Sequence, residues 1–150
     1  MHIYFSGIGG AGIGPLALIA HQAGFTVTGS DKTESQYTEY LRRHGITLHI
    51  GQTRDKIEAA DKQSPIDWIV MSSAIQLENP QHDELVYAQE KNIKISKRDA
   101  LLNEIISQKN LELLAVAGTH GKTTTTAMLI WGAQKLGIPV SYSVEAKISF

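Results

Sequence analysis

HIYFSGIGGAG, residues 2–12, decides how the rest of the chain is read. His2 to Ser6 is a short β-rich run, and Gly7-Ile8-Gly9-Gly10-Ala11-Gly12 follows it directly with the spacing G-x-G-x-x-G. Leu16, Leu18, Ile19 and Ala23 then line an amphipathic helix that stops at Gly24, a suitable residue just past a helix end. Phe25 to Thr28 predicts a second strand, ending in Gly29-Ser30-Asp31, so an acid lies about twenty positions beyond the glycines. Strand, glycine loop, helix, strand and acid form the phosphate-binding unit of doubly wound α/β folds. There the loop backbone approaches a diphosphate at the positive end of a helix. The plainer alternative is a tight strand-to-helix turn that holds no ligand.

Outward from this unit, strands and helices keep alternating. Ser35 to Arg43 predicts a short helix ending at Gly45, and Ile46 to Ile50 a third strand. Gln52 to Gln63 is polar and predicts one or two helical turns at most. Trp68 to Met71 predicts a buried strand ending in Ser72-Ser73-Ala74. Hydroxyls there stand where open α/β sheets bind ligands, though the same residues also cap helices and turns. Asn79-Pro80 predicts the start of a helix running to Lys91, with proline in its first turn. Ile93 to Ile95 predicts a minimal fifth strand. Arg98 to Ile106 predicts a helix with Leu101, Leu102, Ile105 and Ile106 on its buried side. This alternation over residues 1–107 predicts a Rossmann-like α/β domain with a parallel sheet.

The polar stretch Gln108-Lys109-Asn110 is the expected domain boundary, and a second glycine loop follows it. Leu111 to Ala117 (LELLAVA) predicts a buried strand and Thr124 to Leu136 a helix. Between them stand Gly118, Thr119, His120, Gly121, Lys122 and Thr123. This G-T-x-G-K-T loop is shorter than G-x-x-x-x-G-K-[ST], since Val116 stands where the longer pattern has glycine. A loop of this kind cradles phosphates on the backbone N–H groups from Gly118 to Thr124. Lys122 reaches the outer phosphates and the Thr123 hydroxyl ligates Mg²⁺. A glycine turn with a solvated Lys122 is the alternative. A lysine in the first turn opposes the helix dipole, however, which favours an anionic partner. His120 is assigned no chemistry. Pro139 to Val144 is the last strand candidate. Residues 108–150 are thus expected to begin a P-loop ATPase domain that they cannot complete, because one crossover unit needs about thirty residues.

Composition narrows the function classes. The 150 residues carry a net charge of −1 and 42% hydrophobic residues. That is enough for a core and gives no bulk electrostatic case for nucleic acid or an anionic membrane. Cysteine is absent, which excludes a disulfide framework and thiolate metal sites. The chain opens on a strand running into a glycine loop, without a basic or apolar leader, so a soluble cytoplasmic protein is expected.

Two glycine loops about 110 residues apart, the second written AGTHGKTTTT, resemble the Mur ligases of peptidoglycan synthesis. GIGGAG at 7–12, GSD at 29–31, SSAI at 72–75, Asn79-Pro80 and the helix containing Arg98 carry the same resemblance. It implies a UDP-binding domain, a central ATPase and a further domain for the amino acid, of which this chain would hold the first and part of the second. It implies ATP and Mg²⁺, with UDP-N-acetylmuramate and L-alanine as substrates. The branch that reattaches recycled murein tripeptide is the second choice. The implied reaction passes through an acyl phosphate on the muramyl carboxylate, with Lys122 and Thr123 as catalytic residues. Gly7–Gly12 would hold the diphosphate of a UDP-sugar rather than of NAD, with Asp31, Ser72 and Ser73 near the nucleotide. A stand-alone nucleotide-binding module and an NAD-binding domain are the competing readings. Two departures from the family pattern stand out: Gln52 where histidine is usual, and Glu145 where a glycine pair usually begins.

Overall fold

The computed structural model describes residues 1–72, 75 and 79–144. Ser73 and Glu145 lie outside the described residues, and with them the expectations attached to both.

Five strands form one parallel sheet in the order β3-β2-β1-β4-β5. They are β1 (His2–Ser6), β2 (Thr26–Asp31), β3 (Thr47–Ile50), β4 (Trp68–Met71) and β5 (Lys94–Ser96). β1 is central and buried along its whole length, as expected of a parallel strand covered on both faces. It pairs in register with β2 (His2 with Thr26, Ser6 with Ser30) and with β4 (Ile3 with Trp68, Ser6 with Met71). The chain winds outward through β2 and β3 on one side of β1 and through β4 and β5 on the other. That reversal puts a crevice at the carboxyl ends of β1 and β4, where doubly wound folds take ligands.

Side-chain alternation along the strands builds two cores. Ile3, Phe5, Trp68 and Val70 face α1 (Gly14–Gln22), α2 (Gln36–Arg43) and, through Leu101 and Ile105, the later helix Arg98–Gln108. Tyr4, Ile69 and Met71 face α3 (Arg54–Gln63) and α4 (Asp83–Glu90). Each fully buried aliphatic or phenyl side chain contributes about 1.5–3 kcal/mol. Helix Arg98–Gln108 is α5 and helix Lys122–Lys135 is α6.

Five local expectations are corrected. β2 runs on through Gly29, Ser30 and Asp31, so these residues belong to the strand and do not follow it. The polar stretch after Gln52 folds as the ten-residue helix α3. Ile57 and Ala60, one turn apart, are its only buried residues, and two are sufficient when they land on a sheet. Asn79-Pro80 does not open α4. The Asn79 side-chain oxygen accepts the Gln81 N–H at 3.1 Å, closing a separate turn, and His82 takes the N-cap position without a side-chain capping bond. Leu111 to Ala117 forms no strand and is largely exposed, Leu114 by 74%. Pro139 to Val144 forms none either. An apolar run becomes a buried strand only when neighbouring strands pair with it, and among the described residues neither segment has one.

Candidate functional site

The first glycine loop leaves β1 at Ser6 and enters α1 at Gly14. Four of its amides are held by the protein itself. Gly7 and Ile8 N–H both donate to the Ser30 carbonyl at 2.9 Å, and Gly10 N–H donates to the Gly7 carbonyl at 3.1 Å. Gly9 N–H donates to Asp31 Oδ2 at 2.8 Å. Asp31 thus lies against the loop, and one of its oxygens fixes the loop's shape. Ala11 and Gly12 N–H have no acceptor among the described residues. They are the donors left for an anion at the start of α1, which has no acidic residue in its first turn. Ser72, half-buried, follows β4, and its N–H donates to the Ser6 carbonyl at 3.4 Å. A Cβ added at Gly7 would meet the Ser72 Cβ at 3.6 Å, which places Ser72 beside the loop.

Beneath the loop lies a group to which the sequence alone assigns no role. Glu84, in the first turn of α4, is fully buried. Its carboxylate accepts the Tyr4 hydroxyl at 2.7 Å and the hydroxyls of Ser6 and Ser30. Gln52 Nε2 donates to Ser6 Oγ at 3.0 Å and approaches Glu84 Oε2 at 3.5 Å. Burial first, and the Glu84 charge second, push the Tyr4 phenol well above the usual tyrosine range. Three hydroxyl donors compensate the buried carboxylate. Together they tie the ends of β1 and β2, from which the loop springs, to α4. The available signal was position: Glu84 shares a helical stripe with Tyr87 and Ala88, both buried. Gln52, singled out above as a departure from the resemblance, is a member of this network.

Arg98, the first residue of α5, is likewise not marked as a site residue by the sequence. Its guanidinium occupies the space that a Cβ on Gly12 would need.

The second loop is open. Gly121, at φ +77°, caps α6 in the left-handed conformation. Lys122 Nζ folds back onto the Gly118 carbonyl at 2.7 Å and the Thr119 carbonyl at 3.4 Å. Amides from Thr119 to Thr124 have no acceptor among the described residues. A row of free amides beside an amine held only by carbonyls is a donor set that fits phosphate. For Mg²⁺ the loop offers the Thr123 hydroxyl. Among the described residues no three His, Cys, Asp or Glu side chains converge as a metal site, so a cation there would take its other ligands from phosphate and water.

An open cavity of about 600 Å³ lies toward the amino-terminal ends of β1, β2 and β3, and neither glycine loop lines it. It is lined in part by His2, His21, Thr28 and His49. The His2 ring is occupied by the Ser64 and Pro65 carbonyls on one nitrogen and the Thr28 hydroxyl on the other. Among the described residues no helix is long and apolar enough to cross a membrane.

Sheet order and loop position define a doubly wound α/β protein with a glycine loop at its switch point. The model of the Mur ligase family, catalytic domain, matches residues 2–110, and the chain belongs to that family. It is similar to the UDP-N-acetylmuramate--L-alanine ligase of Streptomyces avermitilis, 43% identical over 141 residues, which is 94% of this chain and 28% of that protein. Among solved structures it is similar to a murein peptide ligase from Psychrobacter arcticus (TM-score 0.78, 35% identity), over 91% of this chain and 27% of that one. A UDP-N-acetylmuramate-alanine ligase from Thermotoga maritima gives a TM-score of 0.77 at 32% identity, over 91% of this chain and 30% of that one. The chain therefore spans less than a third of the length of these relatives.

Proposed function

We propose that this chain is the sugar-nucleotide-binding part, with the opening of the ATPase part, of a ligase that joins L-alanine to UDP-N-acetylmuramate. The observation that carries the reading is the match to the Streptomyces alanine ligase. It leaves so few residues out that it necessarily spans the second glycine loop as well as strands β2 to β5. On this reading residues 1–107 form the UDP-sugar domain, and the ATPase part begins at 108–110.

The two loops then divide the phosphate chemistry between them. Ala11 and Gly12 N–H receive the diphosphate of the UDP-sugar, with Asp31 holding the loop and Ser72 flanking it. In the second loop, Gly118 to Thr124 wrap the phosphates of ATP, which supplies the phosphoryl group that activates the muramyl carboxylate. Lys122 leaves the carbonyls of Gly118 and Thr119 for the outer phosphates, where it offsets developing charge, and Thr123 contributes a hydroxyl ligand to Mg²⁺. His120 lines the loop.

The similarity to the Psychrobacter murein peptide ligase supports a second reading, in which a murein peptide supplies the amine. Phosphate release with L-alanine, compared with release with the tripeptide, separates the two in a chain that carries the remaining domains.

Calorimetric titration of the chain with UDP-N-acetylmuramate, UDP and NAD tests the proposal. Binding of the first two without NAD is the expected result. NAD binding without UDP binding overturns it.

A further inference from the structure

Arg98 stands three residues before Leu101 and seven before Ile105, so the three share one face of α5. Leu101 and Ile105 pack with Ile13, Leu16, Ala17 and Ala20 of the α1 region in a single cluster. This packing runs α5 alongside α1. Because helical side chains lean toward the amino end of their helix, the Arg98 side chain continues the buried stripe past the end of α5 and reaches the glycine loop. It comes so close to Gly12 that a β-carbon there would displace it.

Two features of this placement call for an anion. The Arg98 guanidinium is exposed and has no carboxylate or other hydrogen-bond partner among the described residues. It also sits beside the amino terminus of α1, whose dipole presents positive charge, and beside the unpaired amides of Ala11 and Gly12. Like-signed groups from two separate elements converge, and among the described residues no carboxylate pairs with the guanidinium. A phosphate would satisfy all of them, and the planar guanidinium fork matches its oxygens.

We infer that Arg98 is a phosphate-binding residue of the first loop, closing over the same diphosphate that Ala11 and Gly12 N–H receive. The inference rests on the proposal that this loop takes a nucleotide diphosphate, and it adds a residue from a different segment of the chain. At position 12 the absence of a side chain leaves room for the guanidinium.

Titration of UDP, UMP and inorganic pyrophosphate into the chain and into Arg98→Ala, Arg98→Lys and Gly12→Ala tests it. Thermal unfolding of each variant is recorded alongside. Arg98→Ala should weaken UDP binding by about tenfold to a hundredfold, the range for one charge-assisted contact. The loss for UMP should be smaller. Arg98→Lys should recover part of the affinity, Gly12→Ala should resemble Arg98→Ala, and unfolding midpoints should stay together. Equal UDP affinity in the parent chain and Arg98→Ala overturns the inference while leaving the nucleotide reading intact. Weakened binding matched by a lowered midpoint also overturns it, in favour of a structural role. Pyrophosphate binding that depends on Arg98, without any UDP binding, supports the anion site and refutes the nucleotide reading. Binding of neither UDP nor pyrophosphate by the parent chain refutes both.

Discussion

In the first glycine loop four successive amides, Gly7 to Gly10, are bonded to the protein, and a buried carboxylate ties together the strand ends on which the loop stands. In the second, six successive amides from Thr119 to Thr124 meet no acceptor among the described residues, and the lysine rests on carbonyls of its own loop. The local sequences are of similar quality as phosphate motifs. What differs is the strand in front of each. β1 is paired on both sides, whereas Leu111 to Ala117 pairs with no strand among the described residues. A glycine loop acquires a fixed shape from the sheet beneath it. Its own residues supply only the donors and the conformational freedom.

The largest expected effect comes from removing the anchor of the organised loop. Glu84→Ala leaves the hydroxyls of Tyr4, Ser6 and Ser30 without their acceptor and should destabilise the chain by about 2–4 kcal/mol. Lys122→Ala, an exposed change at the open loop, should stay within about 0.5 kcal/mol of the parent. Urea denaturation followed by tryptophan fluorescence, whose change is dominated by exposure of buried Trp68 against the already exposed Trp131, measures both, and equal costs would break the contrast between the loops.

A smaller effect comes from one substitution made in each region. At Gly9 a Cβ would meet Thr38 Cγ2 at 2.8 Å and Asp31 Oδ2 at 2.9 Å. Gly9→Ala should therefore cost about 1–3 kcal/mol by overpacking. At Gly132, inside α6, a Cβ meets nothing within 4 Å. Gly132→Ala should raise stability by about 0.5–1 kcal/mol through helix propensity alone. Urea denaturation reads the first and thermal loss of helical circular dichroism the second; opposite signs are expected, and a penalty at Gly132 would mean that α6 is packed more tightly than the contrast allows.

The sheet was legible because its signals are local. Apolar runs such as Trp68 to Met71, and the glycines that end helices α1 and α2, declare themselves within a few residues. What was missed depends on contacts made across the fold. α3 buries only Ile57 and Ala60, too few to show against a polar background before the sheet that receives them is known. Glu84 reads as one of several surface acids on its helix until Tyr4, Ser6 and Ser30 are seen to converge on it from strands 80, 78 and 54 residues away. Arg98 reads as the opening of an amphipathic helix until α5 is laid beside α1. The error at Leu111 to Ala117 ran the other way, since composition predicted burial that requires sheet partners to be realised. At the candidate site, the glycines, Asp31 and Ser72 were visible as a motif, while the residues that hold them in place were not.

Residue-resolved amide hydrogen exchange, with and without UDP-N-acetylmuramate, tests the central contrast most directly, since exchange reports which amides are held by the fold. The account predicts slow exchange at Gly7 to Gly10 in both conditions, slow exchange at Ala11 and Gly12 only with the sugar nucleotide, and fast exchange from Thr119 to Thr124 throughout. Exchange at Gly7 to Gly10 as fast as in the second loop, or ligand protection confined to Thr119 to Thr124, would contradict it.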